Sequence, residues 1–270
     1  MDKATLRKVQ LVQLEIAKEI KRVCEENGIG YWLDSGTMLG AVRHKGFIPW
    51  DDDLDMGMFR EDYERFLHIA PKALHPPFAL QQWETDPHYG LAFAKVRKAG
   101  TLYIENKSQR SQSQNGIFVD IFPYDHYGND PRGQGLPLRV INTIMRRKSG
   151  MQTWREGASV NWRRFIGQIP FAIVAPFASR AALTARYKRV ATMYNERECE
   201  YYFPQGISNY GRWIIPVSAM TEMIDAPFED DVFKIPRGYD AYLTHAYGDY
   251  MTLPPEDKRG NRHEILEVRF

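Results

Sequence analysis

Five aspartates carry the chemistry that this sequence offers: Asp51, Asp52, Asp53 and Asp55 in one cluster, and Asp120 alone inside the apolar run from Gly116 to Phe122. From Asp53 to Met58 the residue types alternate, with Leu54, Met56 and Met58 opposed to Asp53, Asp55 and Gly57. That period of two predicts a strand with both carboxylates on one side. Like charges held together require a cation or a proton. An all-oxygen set suits Mg2+, which takes one or two carboxylates together with water and substrate phosphates; Mn2+ is the other cation to consider. Asp120, between Val119 and Ile121, would cost on the order of several kcal/mol as an unpaired buried ion. A metal shared with Asp53 and Asp55 is its expected partner. The metal and catalytic candidates are therefore Asp53, Asp55 and Asp120, the last as third ligand or as base. Asp51 precedes them as a residue that shapes the site or holds a second metal through water. A solvated acidic turn explains neither the alternation nor Asp120. A calcium loop fits Asp51, Asp53 and Asp55, but Met56 stands where its glycine belongs and Asp62 where its glutamate does.

A metal of this kind implies a phosphate, and the upstream residues suit one. Gly36-Thr37 follows the short apolar segment Gly30–Leu33 and opens a helical stretch ending near His44. A small residue beside glycine at a helix start lets backbone N–H groups approach a phosphate closely. Arg43, His44, Lys45, Lys95 and Arg97 are the candidate phosphate clamps, arginine as a fork and lysine as a point charge. Pairing with the acidic loop is the competing role for Arg43 and His44. Ordinary exposed strand charge is the competing role for Lys95 and Arg97.

The elements that must hold these groups are legible in outline. Val9, Val12, Ile16, Ile20 and Val23 recur at helical spacing before an Asn27-Gly28 stop. A helix is expected over about 61–74, burying Tyr63, Phe66, Leu67, Ala70 and Leu74, and strands over 78–83, 91–97, 102–105 and 116–122. Residues 131–202 read as mostly helical. The tail from Phe228 reads as loop-rich, given Pro227, Pro236, Pro254 and Pro255.

At 270 residues, 43% hydrophobic and 26% charged, the chain has the composition of a soluble globular protein with one large domain or a core plus an elaboration. Cys24 and Cys199 are its only cysteines, and they are far apart. This predicts neither a disulfide framework nor a zinc site, and fits a reducing, cytoplasmic compartment. The N-terminus shows no signal-peptide pattern. Net charge is +2, yet residues 139–190 hold eleven Lys/Arg against the single acid Glu156, a local +10 that leaves −8 elsewhere. Inside this block the apolar run 165–178 is too short to span a bilayer and is broken by Pro170 and Pro176. With Trp154 and Trp162-Arg163-Arg164 nearby, two readings stand. One is peripheral contact through 139–190 with the inner face of the cell membrane; the other is a helical subdomain with 165–178 as its buried core. No nucleic-acid partner is expected, because no recognisable reading motif accompanies the basic block.

The order of a Gly-Thr at a helix start, an Asp-x-Asp on a strand and a lone Asp in a later apolar strand resembles the nucleotidyltransferase fold of polymerase-β-like enzymes. The stretch from Tyr31 through Gly36-Thr37, Arg43 and Trp50 to Asp55 resembles, more closely still, the signature of the LicD/fukutin phosphotransferase family. Gly116–Pro123 resembles that family's second carboxylate strand, and Pro236–Asp240, Tyr247–Met251 and His263 resemble its C-terminal pattern. The resemblance covers about 30–125 and 228–263; the block 131–200 finds no motif-by-motif match. It implies an α+β fold, with a nucleotidyltransferase-type core and mixed sheet over 1–130. A basic helical insertion would occupy 131–200, and 201–270 would complete the catalytic domain. Bacterial members transfer phosphocholine from CDP-choline to cell-surface glycans such as lipopolysaccharide and teichoic acid. The resemblance thus implies a Mg2+-dependent phosphotransferase, a CDP-choline or similar CDP-alcohol donor, and a glycan acceptor or its lipid-linked precursor. The family's metal-binding acids fall on Asp53, Asp55 and Asp120, and the donor would meet Gly36, Thr37, Arg43, His44, Lys95 and Arg97.

Other readings remain open at this point. The donor alcohol could equally be ribitol or another CDP-linked alcohol, and nucleotidyl transfer to a small molecule would use the same groups. An Asp-x-Asp glycosyltransferase leaves Asp120 and Gly36-Thr37 unexplained. A non-catalytic binding protein has no reason to keep three mutually repelling acids. A choline headgroup calls for an aromatic cage, for which Trp50, Trp83, Tyr89 and Tyr124 stand near the motifs.

Overall fold

The computed structural model describes residues 1–105, 113–151, 154–156, 159–206, 212–260 and 263–270. The first helix, α1 (Lys3–Glu26), buries Val9, Ile16, Ile20 and Val23, as their spacing predicts. The Asp2 carboxylate caps it, accepting from the N–H groups of Ala4 and Thr5. Asn27 ends it, and Gly28 turns out of it at φ +60°, a left-handed conformation that glycine adopts without a Cβ penalty. Then follow β1 (Trp32–Leu33), α2 (Ser35–His44), β2 (Asp55–Phe59), α3 (Arg60–Ala73), β3 (Phe78–Gln81), β4 (Ala94–Lys98), β5 (Leu102–Glu105) and β6 (Phe118–Tyr127).

The main sheet runs β1-β2-β6-β4-β3, with β2 and β6 parallel and the other neighbours antiparallel. It is therefore mixed, as the α+β expectation requires. The second half of β6 also pairs with β9 (Tyr201–Pro204), which in turn pairs with β10 (Ile215–Pro216). Helix α1 packs on β4 and β6, and α3 packs on β2, β3 and β6. The alternation read before Met58 is real, since Leu54, Met56 and Met58 are all fully buried. The strand, however, starts at Asp55, so Asp53 lies in the segment leading into it.

The basic block holds α4 (Leu136–Lys148), a small hairpin of β7 (Arg155–Glu156) and β8 (Ser159–Val160), then α5 (Trp162–Gly167), α6 (Ile169–Val174) and α7 (Arg180–Ala191). Its buried cluster is Leu138, Ile141, Met145, Tyr187 and Ala191, supplied by α4 and α7 and seated against Trp83 and Ala92. This corrects the reading of 165–178 as a buried core: α5 and α6 contribute no buried residue. The tail needs a correction too. It contains the hairpin β11 (Met223–Phe228) and β12 (Asp231–Pro236), helix α8 (Tyr239–Tyr247), and β13 (Ile265–Arg269), which pairs with β5. Pro227 and Pro236 are compatible with that hairpin because a two-stranded sheet leaves outward positions that need no ladder N–H. Phe228, Phe233, Ile235, Tyr242 and Leu243 from this tail join the main core.

Candidate active site

Parallel pairing of β2 with β6 sets Asp55 directly beside Asp120. The Asp120 N–H donates to the Leu54 carbonyl at 3.0 Å. On the other side of β2, the Asp34 N–H donates to the Asp55 carbonyl at 2.9 Å, and the Asp55 N–H donates to the Thr37 hydroxyl at 2.9 Å. The backbone of Asp55 is thus fixed on both its N–H and its carbonyl by Thr37 and Asp34, and the carbonyl before it by Asp120. Its carboxyl is pushed well above the usual carboxylate range, first by burial and then by the charges of Asp53, Asp120, Asp34 and Asp51.

The preceding acids crowd the same place. One carboxylate oxygen from each of Asp51, Asp52 and Asp53 lies within 4.8 Å of the other two. Asp51 and Asp52 are buried. Two amides on α1 pin their loop: Gln10 Nε2 donates to the Asp51 carbonyl at 2.9 Å, and Gln13 Nε2 to the Asp52 carbonyl at 3.0 Å. The Tyr103 hydroxyl donates to Asp52 Oδ2 at 3.2 Å. Asp52 Oδ1 is buried and, among the described residues, accepts no hydrogen bond; its neighbour is His263 Nδ1 at 3.4 Å, which also stands 3.8 Å from Asp53 Oδ2. Crowded carboxylates, oxygen donors throughout and a buried oxygen without a donor fit a hard divalent cation. His263, which the sequence associates only with a C-terminal pattern, reaches the cluster from the far end of the chain.

The expected phosphate clamps separate into two groups. Lys95 is buried, ion-paired with Asp120, and lies 3.2 Å from the centre of the Phe118 ring. Arg97 is also buried and donates to the Gln81 side chain and the Gly116 carbonyl. Its place is the scaffold between β3 and the approach to β6, so the expected donor contact from Arg97 is replaced by a structural one. Arg43 and His44, at the end of α2, are half-buried. Arg43 donates to the Tyr250 carbonyl at 2.5 Å, and burial followed by the nearby Arg259 charge lowers its pKa. Burial and then Arg43 also lower that of His44, which keeps the ring neutral near pH 7. Lys45 lies at the exposed end of the helix, where its ammonium donates to the Val42 carbonyl at 3.1 Å.

Gly36 connects this basic group to the acids. A Cβ on it would stand 3.0 Å from Asp51 Oδ2 and 3.8 Å from the Tyr247 hydroxyl. Arg212 lies 4.4 Å from the Tyr247 ring centre, and Arg259 lies 5.6 Å from that of Trp50. Of the aromatic candidates, Trp50 borders this basic group and Trp83 packs instead against Tyr187 of α7. Tyr89 and Tyr124 are buried. Tyr124 is committed elsewhere. With Tyr242 of α8, its hydroxyl reaches Asp34 Oδ1, each at 2.7 Å, and the two hydroxyls are 2.8 Å apart. Burial raises the pKa of all three groups. The triad ties β6 and α8 to the start of α2. Nothing local in the sequence marks Asp34, because its partners lie 90 and 208 positions away.

The family model described as LicD/FKTN/FKRP, nucleotidyltransferase domain, matches residues 28–162, which contain every one of these acids. The chain is 32% identical over 270 residues to the lipopolysaccharide cholinephosphotransferase LicD of Haemophilus influenzae, covering 97% of each protein. Over 48 residues it is 48% identical to the human ribitol 5-phosphate transferase FKRP, a stretch that is 18% of this chain and 10% of that protein. Over 61 residues it is 38% identical to the human ribitol-5-phosphate transferase FKTN, 23% of this chain and 12% of that protein. An acid pair on adjacent parallel strands, a glycine-opened helix against it, and likeness along nearly the whole of a bacterial relative together establish that the chain belongs to the LicD/FKTN/FKRP family of phosphotransferases.

Proposed function

We propose that this chain is a Mg2+-dependent phosphotransferase of nucleotidyltransferase fold. It moves a phospho-alcohol, phosphocholine in the first instance, from a CDP-linked donor to a hydroxyl of a cell-surface glycan or its lipid-linked precursor, releasing CMP. The observation that carries this reading is the meeting of Asp55 and Asp120 across β2 and β6, beside the Asp51–Asp53 cluster. The full-length likeness to a cholinephosphotransferase supports phosphocholine over ribitol phosphate, for which the likeness extends over 48 residues, 18% of this chain.

Asp53, Asp55 and Asp120 would hold Mg2+, or Mn2+, with Asp51 beside them; bound there, the cation would neutralise charge on the donor diphosphate. The protein supplies the rest. Gly36 leaves room for the diphosphate next to Asp51, and Arg43 with Arg259 meets the charge that develops on departing CMP. The acceptor oxygen bonds to the phosphorus carrying the alcohol, and the bond from that phosphorus to CMP breaks. The hydroxyl proton passes to the Asp120 carboxylate, which Lys95 holds in position.

The test is incubation with CDP-choline or CDP-ribitol and a glycan acceptor, with Mg2+ or with EDTA, followed by CMP release and acceptor mass. Metal-dependent CMP release with phosphocholine gained by the acceptor is the expected result. Gain of a nucleotide by the acceptor would replace this reading with nucleotidyl transfer, and absence of metal-dependent nucleotide binding would end both.

A further inference from the structure

Large apolar side chains stand exposed together in one part of the molecule. Trp162, Ile166, Ile169, Ile173 and Phe177 are 65%, 61%, 42%, 64% and 87% exposed. They belong to α5, α6 and the turn that follows, and steps of three or four residues keep them on one side of this nearly continuous helical segment. Gln168 joins the two helices, its N–H donating to the Arg164 carbonyl and its carbonyl accepting from the Ala172 N–H. The inner side is what holds the segment to the protein. Ala175 is buried, its carbonyl accepts from Lys148 Nζ at 3.0 Å, and Phe165 packs between the rings of Trp154 and Trp162. Apart from the contact of Trp162 with Phe165, the outward apolar row is left facing solvent.

Its surroundings are cationic. Arg163 and Arg164 are exposed between Trp162 and Ile166 in the same segment, and the block to which the segment belongs carries the +10 found between residues 139 and 190. An apolar patch of this kind marks an interaction surface. A second copy of this chain would set like charge against like charge. A nucleic acid would meet the charge but leave the apolar row in water. An anionic bilayer satisfies both, since acyl chains accept the apolar side chains while headgroups meet the arginines.

We propose that this face docks the protein on an anionic lipid membrane, with Trp162, Ile166, Ile169, Ile173 and Phe177 entering the interface and the flanking arginines on the headgroups. Among the described residues no helix is long and apolar enough to cross a membrane, so the attachment is lateral. It requires neither metal nor donor and stands apart from the phosphotransferase reading.

Flotation of the full chain with phosphatidylglycerol-containing vesicles, compared with phosphatidylcholine vesicles, tests it at about 50 and about 500 mM salt. The expected result is binding to the anionic vesicles that falls at least tenfold on phosphatidylcholine or at high salt. The double variant Phe177→Asp/Ile173→Asp should abolish it, and Arg163→Ser/Arg164→Ser should weaken it roughly fivefold for each charge removed. All four side chains are solvent-facing, so an unchanged melting temperature will show that these variants fold. Failure to bind anionic vesicles, or binding indifferent to both double variants, would overturn the proposal. So would a wild-type dimer in light scattering that becomes a monomer in Phe177→Asp/Ile173→Asp, because the face would then belong to a second copy.

Discussion

Asp53→Asn should stabilise the protein in EDTA while destroying its response to Mg2+. In the cluster, oxygens of Asp51, Asp52 and Asp53 lie within 4.8 Å of one another. At that separation and an effective dielectric constant of about 20, each pair of like charges costs about 3 kcal/mol. Removing the Asp53 charge relieves two such pairs. Solvent reaching this half-buried side chain, and the His263 ring 3.8 Å away, reduce the gain to about 1–3 kcal/mol. For a chain of this size that raises the metal-free melting temperature by roughly 2–5 °C. Wild-type protein, by contrast, should gain about 2.7 kcal/mol when Mg2+ is present at about a hundred times its dissociation constant. Differential scanning calorimetry in EDTA and in a Mg2+ series reads both effects, with Asp257→Asn as an exposed control outside the cluster. If Asp53→Asn melts lower than wild type in EDTA, the acids are not held against their mutual repulsion. If it keeps the wild-type Mg2+ shift, Asp53 is not a ligand.

The remaining predictions concern the supports of the site. Gly36→Ala introduces a Cβ 3.0 Å from Asp51 Oδ2; the carboxylate must move, so donor binding by calorimetry should weaken at least tenfold while the melting temperature changes by less than about 2 °C. Asp125→Ala removes the buried carboxylate paired at 2.6 Å with the largely buried Arg60 guanidinium and leaves it the more exposed Glu64 at 3.1 Å; it should cost about 2–4 kcal/mol in urea unfolding with the Mg2+ shift intact. The Arg7 hydrogen bond holds the Glu229 carboxyl below the usual range. Its stabilisation is present above the unfolded carboxylate pKa and is lost as pH falls through the lowered folded value. Glu229→Gln should therefore flatten the stability curve on the acid side, by no more than about 1 kcal/mol because Arg7 is exposed and salt screens the pair.

Local patterning reveals the acids but not their company. Alternation identifies the β2 strand because Leu54, Met56 and Met58 face the core, and the lone Asp120 is visible because its neighbours are apolar. Neither signal contains the register that sets Asp55 beside Asp120; that is fixed by the parallel pairing of strands separated by α3, β3, β4 and β5. Lys95 and Arg97 look alike in sequence, two positions apart on one strand, yet one pairs with Asp120 and the other with Gln81. The run 165–178 misleads because composition reports that it is apolar and says nothing of which side is covered. The tail misleads through its prolines, whose missing N–H matters only at inward ladder positions.

The acids owe their positions to distant parts of the chain, which bears on what the family motif can do by itself. Residues 31–55 supply Asp34, Gly36, Thr37 and the acid cluster, but not the groups that hold them. Gln10 and Gln13 on α1 fix the backbone of Asp51 and Asp52. Tyr103 and His263, on opposite sides of a long intervening stretch, contact Asp52. Tyr242 on α8 shares Asp34 with Tyr124, and the Tyr250 carbonyl orients Arg43. Mutually repelling carboxylates cannot order themselves, so their geometry must be imposed by neighbours whose contacts are stronger than the repulsion. A short motif can therefore carry the acids while the groups that hold them lie elsewhere in the chain, since different surroundings can impose the same placement of acids. Likeness that extends through α1 and the tail, as it does to the Haemophilus influenzae relative, spans the segments that carry these supports as well as the segment that carries the acids.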